Sequence, residues 1–129
     1  MKRMMIPFLF LLMVLCGCSG TGEEGATYQQ ITAAEAKGMM EEIPNAVILD
    51  VREQEEYDAN HIPCAVLLPL GTIDEESAAE VIPEKDTVVL VYCRSGNRSK
   101  TASEALVELG YTQVYEFGGI LDWPYELTQ

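Results

Sequence analysis

The stretch that most constrains this chain is Thr87-Val88-Val89-Leu90-Val91-Tyr92, which runs directly into Cys93-Arg94-Ser95-Gly96-Asn97-Arg98. Six consecutive β-branched, aliphatic or aromatic residues leave no polar face. A strand built from them is therefore buried on both sides, as in a parallel sheet covered by helices. Shorter segments repeat the theme. Tyr28–Ile31, Val47–Leu49 (ending at Asp50), Ala65–Leu68 and Val114–Phe117 read as further strands. Between them, Thr32-Ala33-Ala34-Glu35 is a capping box opening a helix to about Glu42. Glu53–Tyr57 reads as a brief acidic helical turn, Ile73–Val81 and Ser99–Leu109 as helices, and Ile120–Tyr125 as a short one. Strands alternating with helices predict an α/β fold with a central, mainly parallel sheet.

The loop after Tyr92 carries the candidate chemistry. Ligands of open α/β sheets bind beyond the carboxyl ends of strands, and Cys93 stands at such an end. Backbone amides of a tight loop, the N-terminus of the helix that follows, and Arg94 and Arg98 all favour a thiolate there. Cys93 is the candidate nucleophile. The loop residues Arg94, Ser95, Gly96, Asn97 and Arg98 are candidate binding residues for a small anion. The alternatives are a buried strand-end thiol, two surface arginines, and ordinary turn and N-cap residues at 95–97 and Ser99.

The first residues read differently. Lys2 and Arg3 precede an apolar run from Ile6 to Leu15, long enough for the core of a signal sequence and short for a membrane span. It ends at Leu15-Cys16-Gly17-Cys18, which resembles the lipobox of bacterial lipoproteins. The resemblance implies a signal peptide over residues 1–17, cleavage before Cys18 and lipidation of Cys18. Residues 18–27 would then form a flexible tether and residues 28–129 the domain. The expected location is the cell envelope, with the chain lipid-anchored to a membrane outside the cytoplasm, since two or more acyl chains anchor stably. The uncleaved-anchor and plain secretory readings are opposed by the shortness of the run and by Cys18.

Charge narrows the partners. The chain has 8 basic and 21 acidic residues, a net charge of -13. Such a surface repels polyanions, so no nucleic-acid partner is expected. Against that background the basic loop at 94–98 is a local reversal of sign. No paired CxxC or Cys/His cluster offers a metal site, and no nucleotide or flavin motif appears, so no metal and no cofactor are expected.

Three motifs, in order, resemble a single-domain rhodanese. They are Asp50-Val51-Arg52 with Glu56-Tyr57 and His61-Ile62-Pro63; Cys93 through Ser99; and Gly118-Gly119-Ile120 with Asp122-Trp123. The resemblance covers about residues 30–125. It implies the rhodanese-like fold, a five-stranded sheet with helices on both faces. It also implies sulfurtransferase activity, in which sulfane sulfur passes from a donor such as thiosulfate to cyanide or a thiol through a Cys93 persulfide. Asp50, Arg52 and Ser99 are then supporting residues, and His61 a structural hydrogen-bonding group. The other readings are a persulfide carrier or partner-docking module without turnover, and a phosphatase or arsenate reductase. Related phosphatases space cysteine and arginine by five residues, whereas four separate Cys93 from Arg98, a smaller cradle that suits one extra sulfur. Cys64 departs from the family, which usually has glycine after His61-Ile62-Pro63. With Cys16 removed and Cys18 lipidated, Cys64 is the one thiol besides Cys93. It is read as an isolated turn residue, with a disulfide to Cys93, or resolution of the persulfide, as the alternative.

Overall fold

The computed structural model describes residues 27–129. The expected signal peptide, Cys18 and nearly all of the tether lie outside the described residues. The elements are β1 (Gln29–Gln30), α1 (Ala33–Glu42), β2 (Val47–Asp50), α2 (Gln54–Ala59), β3 (Val66–Leu67), α3 (Glu75–Val81), β4 (Val88–Cys93), α4 (Asn97–Glu108) and β5 (Gln113–Gly119). Short 3-10 turns cover Leu70–Thr72 and Ile120–Asp122.

The five strands form one sheet in the order β1-β5-β4-β2-β3, and every adjacent pair is parallel. β4 is central, and its side chains alternate between two apolar layers. Val89, Val91 and Cys93 join Leu49, Ala102 and Leu106 under α3 and α4. Leu90 and Tyr92 point the other way, to Ile48, Ile62, Phe117, Trp123 and Ala36 of α1. The period of two thus divides one apolar run between two cores, which is why that run has no polar face. Trp123 closes the second layer, as expected of a core aromatic.

Most boundaries fall within two residues of expectation, and three differences bear on the site. First, β4 extends one residue to include Cys93, so the cysteine is the last residue of the strand rather than the first of the loop. Secondly, α4 begins at Asn97, not Ser99. Its N-cap is Gly96, with φ +107 and no side-chain cap. Ser99, in the third helical position, turns its hydroxyl inward. Thirdly, β5 runs on through Gly118-Gly119. Val91 pairs with Glu116 and Cys93 with Gly119, so β5 holds one residue more than β4 over this interval. Gly118, at φ +91, absorbs the bulge. The short helix expected over 120–125 is a single 3-10 turn, because the chain extends again at Trp123.

Candidate active site

The end of β4 delivers Cys93 beneath the loop at 94–96, where it is 1% exposed. The Gly96 amide donates to its Sγ at 3.0 Å, and Ser99 Oγ lies 3.4 Å from the sulfur. Burial pushes the Cys93 thiol up. The Ser99 hydroxyl and the amides of Ser99, Gly96 and Ser95 together outweigh burial and leave the thiol below its ordinary range. The early start of α4 makes this possible. Its N-cap makes no side-chain hydrogen bond, and the amides of Gly96 and Ser99 turn to the sulfur instead.

The loop is held against β5 by close backbone contact. A Cβ at Gly119 would collide with the Arg94 carbonyl and the Ser95 amide, so only glycine fits. The Leu121 amide donates to the Arg94 carbonyl at 3.2 Å, fastening the loop from the following turn.

Asp50 and Arg52 form a buried pair. Arg52 Nη2 donates to Asp50 Oδ2 at 2.7 Å and also to the Asn60 carbonyl at 2.7 Å. Tyr92 donates its hydroxyl to the same Asp50 oxygen at 2.7 Å and accepts from the Ile62 amide at 3.1 Å. Burial and the Asp50 carboxylate push the Tyr92 phenol far up, so it stays a proton donor. These two residues therefore brace the strand that carries Cys93 and the turn at 60–62, without a hydrogen bond to the loop itself. His61 supports that turn. Its Nδ1 lies 2.8 Å from the Tyr57 carbonyl, and its ring stacks on Tyr57 at 3.8 Å.

The two loop arginines part company. Arg98 gives both arms to Glu56, at 2.7 and 2.8 Å, tying α4 to α2. That pairing bears on two expectations. Arg98, a candidate binding residue, is engaged as a brace between the two helices. Glu56, within the segment read as a brief acidic helical turn, is held down to about 2 chiefly by the Arg98 guanidinium. Arg94 is exposed and forms no ion pair among the described residues. It lines a cavity of about 300 Å³ with Arg52, Glu56, Ala59, Asn60, Ile120, Leu121 and Leu127. Ser95 and Asn97 are exposed beside it, while Gly96 is buried.

Cys64 stands apart. Both cysteines are free thiols. Cys64 leads into the edge strand β3, with β2 between it and β4. Two strand spacings, about 10 Å, exceed the reach of a disulfide. Its φ of 70 is left-handed, which explains why glycine is the family's usual residue there.

One participant escaped the sequence reading. Glu116, on β5, is 3% exposed. Its Oε1 lies 3.1 Å from Ser99 Oγ and accepts from the Gly118 amide at 3.2 Å. The available signal was phase: Val114 and Glu116 share the buried side of an alternating strand.

The arrangement is a buried, activated sulfur under an amide-lined turn, with Arg94 exposed next in the chain and in no ion pair among the described residues. It suits nucleophilic attack on a small anion. The chain matches the Rhodanese-like domain family over residues 32–125. It is 40% identical over 74 residues to thiosulfate sulfurtransferase PspE of Escherichia coli (strain K12), covering 57% of this chain and 70% of that one. It is 36% identical over 97 residues to thiosulfate sulfurtransferase GlpE of Coxiella burnetii (strain RSA 331 / Henzerling II), covering 74% and 87%. A solved structure described as a rhodanese with anions from E. coli superposes with a TM-score of 0.61 at 36% identity, covering 65% of this chain and 98% of that one. By motif, fold and site together, the chain belongs to the rhodanese-like family.

Proposed function

We propose that this protein is a sulfurtransferase that moves sulfane sulfur from an anionic donor such as thiosulfate to a thiol or cyanide through a persulfide on Cys93. The observation that carries this reading is the Cys93 sulfur itself, buried yet held below the ordinary thiol range by three amides and a hydroxyl. In the first step the thiolate attacks the outer sulfur of thiosulfate. The donor S–S bond breaks, its electron pair leaves on sulfite, and a Cys93–S–S⁻ persulfide forms. In the second step the acceptor attacks the outer sulfur, and Cys93 departs as thiolate. Cyanide then yields thiocyanate, and a thiol yields a persulfide. The amides that hold the thiolate stabilise sulfur anions at both stages, as an oxyanion hole does. Arg94 meets the donor at the cavity mouth, and Arg98 keeps α4 in place from behind.

The four-residue spacing from Cys93 to Arg98 favours sulfur over phosphate or arsenate chemistry. The Cys18 lipobox supports a lipid-anchored location outside the cytoplasm. Labelled fatty acid incorporated by the wild type and lost in Cys18→Ser is the expected result there.

The test of the reaction is thiosulfate:cyanide turnover by reduced protein beginning at residue 26, with Cys93→Ser as control and intact mass read after thiosulfate. Turnover and a one-sulfur adduct are expected, both lost in the variant. An adduct without turnover would make the protein a carrier. Neither, in a folded and reduced sample, would overturn the reading.

A further inference from the structure

Glu116 plays no part in the sulfur chemistry just described, yet it is a carboxyl group buried beneath a site built to attract anions. Burying a carboxyl group is costly unless it is hydrogen-bonded to some purpose, so its presence there calls for a reason. The geometry around Ser99 supplies one. Ser99 Oγ lies 3.0 Å from the Gly96 carbonyl, 3.1 Å from Glu116 Oε1, 3.4 Å from the Gly118 carbonyl and 3.4 Å from Cys93 Sγ. A hydroxyl has one proton to give, and all four neighbours accept when Cys93 is ionised. The direction of that one proton is therefore contested, and a carboxylate is the strongest competitor among the oxygens.

We propose that Glu116 is a positioning residue for Cys93: by drawing the Ser99 hydroxyl toward itself, it limits how readily the sulfur ionises and so keeps it reactive enough to take up sulfur. The inference rests on the sulfurtransferase reading for its purpose, though not for its measurement. Its chemical logic is that a thiolate stabilised too far is a poorer nucleophile. The other groups facing the pair are few. Arg98 of α4 couples to the sulfur, and Arg94 follows Cys93 in the chain. Tyr28, ahead of β1, feels both Glu104 of α4 and Glu116. Gln30 pairs with Glu116 and is uncharged. The Asp50–Arg52 pair lies at the neighbouring strand end and bonds to Tyr92 rather than to the sulfur.

The experiment is the pH dependence of alkylation of the full chain by iodoacetamide, read by mass on the Cys93 peptide. Glu116→Gln keeps the shape and removes the charge. Its midpoint is expected to fall by about one pH unit, which makes alkylation below the midpoint roughly threefold faster, tenfold more thiolate being offset by its about threefold lower nucleophilicity. Above both midpoints, loading from thiosulfate should slow by about threefold. In a Ser99→Ala background the same substitution should shift the midpoint by less than half as much. An unchanged midpoint in folded Glu116→Gln overturns the proposal. So does an equal shift with and without Ser99, which would mean a bare field effect. If Glu116→Gln does not fold, the wild type still decides. The Glu116 carboxyl carbon resonance should step at the Cys93 midpoint, and the step should vanish in Cys93→Ser; no step overturns the proposal. Alkylation needs no turnover, so loss of the thiosulfate reaction alone would count against the function and not against this inference.

Discussion

Two helices in this protein begin in opposite ways. α1 is self-sufficient: the Thr32 hydroxyl accepts from the Glu35 amide at 3.1 Å, and the Glu35 carboxylate accepts from the Thr32 amide at 3.1 Å. α4 has no such cap, and the amide of its N-cap residue Gly96 donates instead to a sulfur contributed from the preceding strand. A helix that completes its own hydrogen bonding has nothing left for a ligand. One that leaves its first turn unfinished offers donors and positive potential to whatever is brought there. The lesson is that the site lies where local structure is incomplete.

The largest expected effect tests what forces the unfinished end against β5. Gly119→Ala drives a methyl group into the Arg94 carbonyl and the Ser95 amide, both backbone. Sulfur transfer should fall more than about a hundredfold, with about 2–3 kcal/mol of stability lost in denaturant titration. Next, Ser99→Ala removes a donor to the sulfur. The Cys93 midpoint should rise, opposite in sign to Glu116→Gln, and sulfur loading at neutral pH should fall about tenfold. The same reasoning gives the wild-type profile: loading should climb with pH and level off above a midpoint below the ordinary thiol range.

The comparison sharpens with Thr32→Ala at the self-sufficient end. It should cost about 1 kcal/mol of stability and leave the turnover rate unchanged. A fall in turnover without unfolding would erase the contrast between the two helices. The smallest effect concerns Glu56, which ties α2 to α4. Its carboxyl is depressed to about 2 in the folded protein, so the stability it contributes is present above its unfolded range near 4.5 and is lost as pH falls toward 2. Glu56→Gln should remove that acid-sensitive portion, about 1 kcal/mol at neutral pH because the pair is partly solvated.

Much of this was legible in the residues. The apolar run at 87–92 announced a strand buried on both faces, and Thr32 with Glu35 announced a helix start. The resemblance then supplied the count of five strands and the identity of the loop. What stayed hidden was non-local. Arg98 and Glu56 are 42 positions apart, so nothing in the loop revealed that its last arginine was already engaged. Glu116 carries no motif, and its importance depends on which face of β5 it occupies. The start of α4 at Asn97 is hidden in the sequence because Ser99 looks like a cap. Its hydroxyl faces inward, and a sulfur satisfies the amides that a cap would take.

The extra residue in β5 changes which residues reach the site. A strand assigns its residues to two faces by odd and even count, and a bulge of one reverses the assignment beyond it. Before the bulge the even positions Val114 and Glu116 look toward α4. Beyond it the odd position Gly119 sits opposite Cys93. One chain segment thereby presents a carboxyl group below the site and a bare backbone surface beside it. A plain strand would have brought Gly118 opposite Cys93. Deleting a single residue between Glu116 and Gly119 would restore simple alternation and, by that very regularity, separate the two features the site depends on.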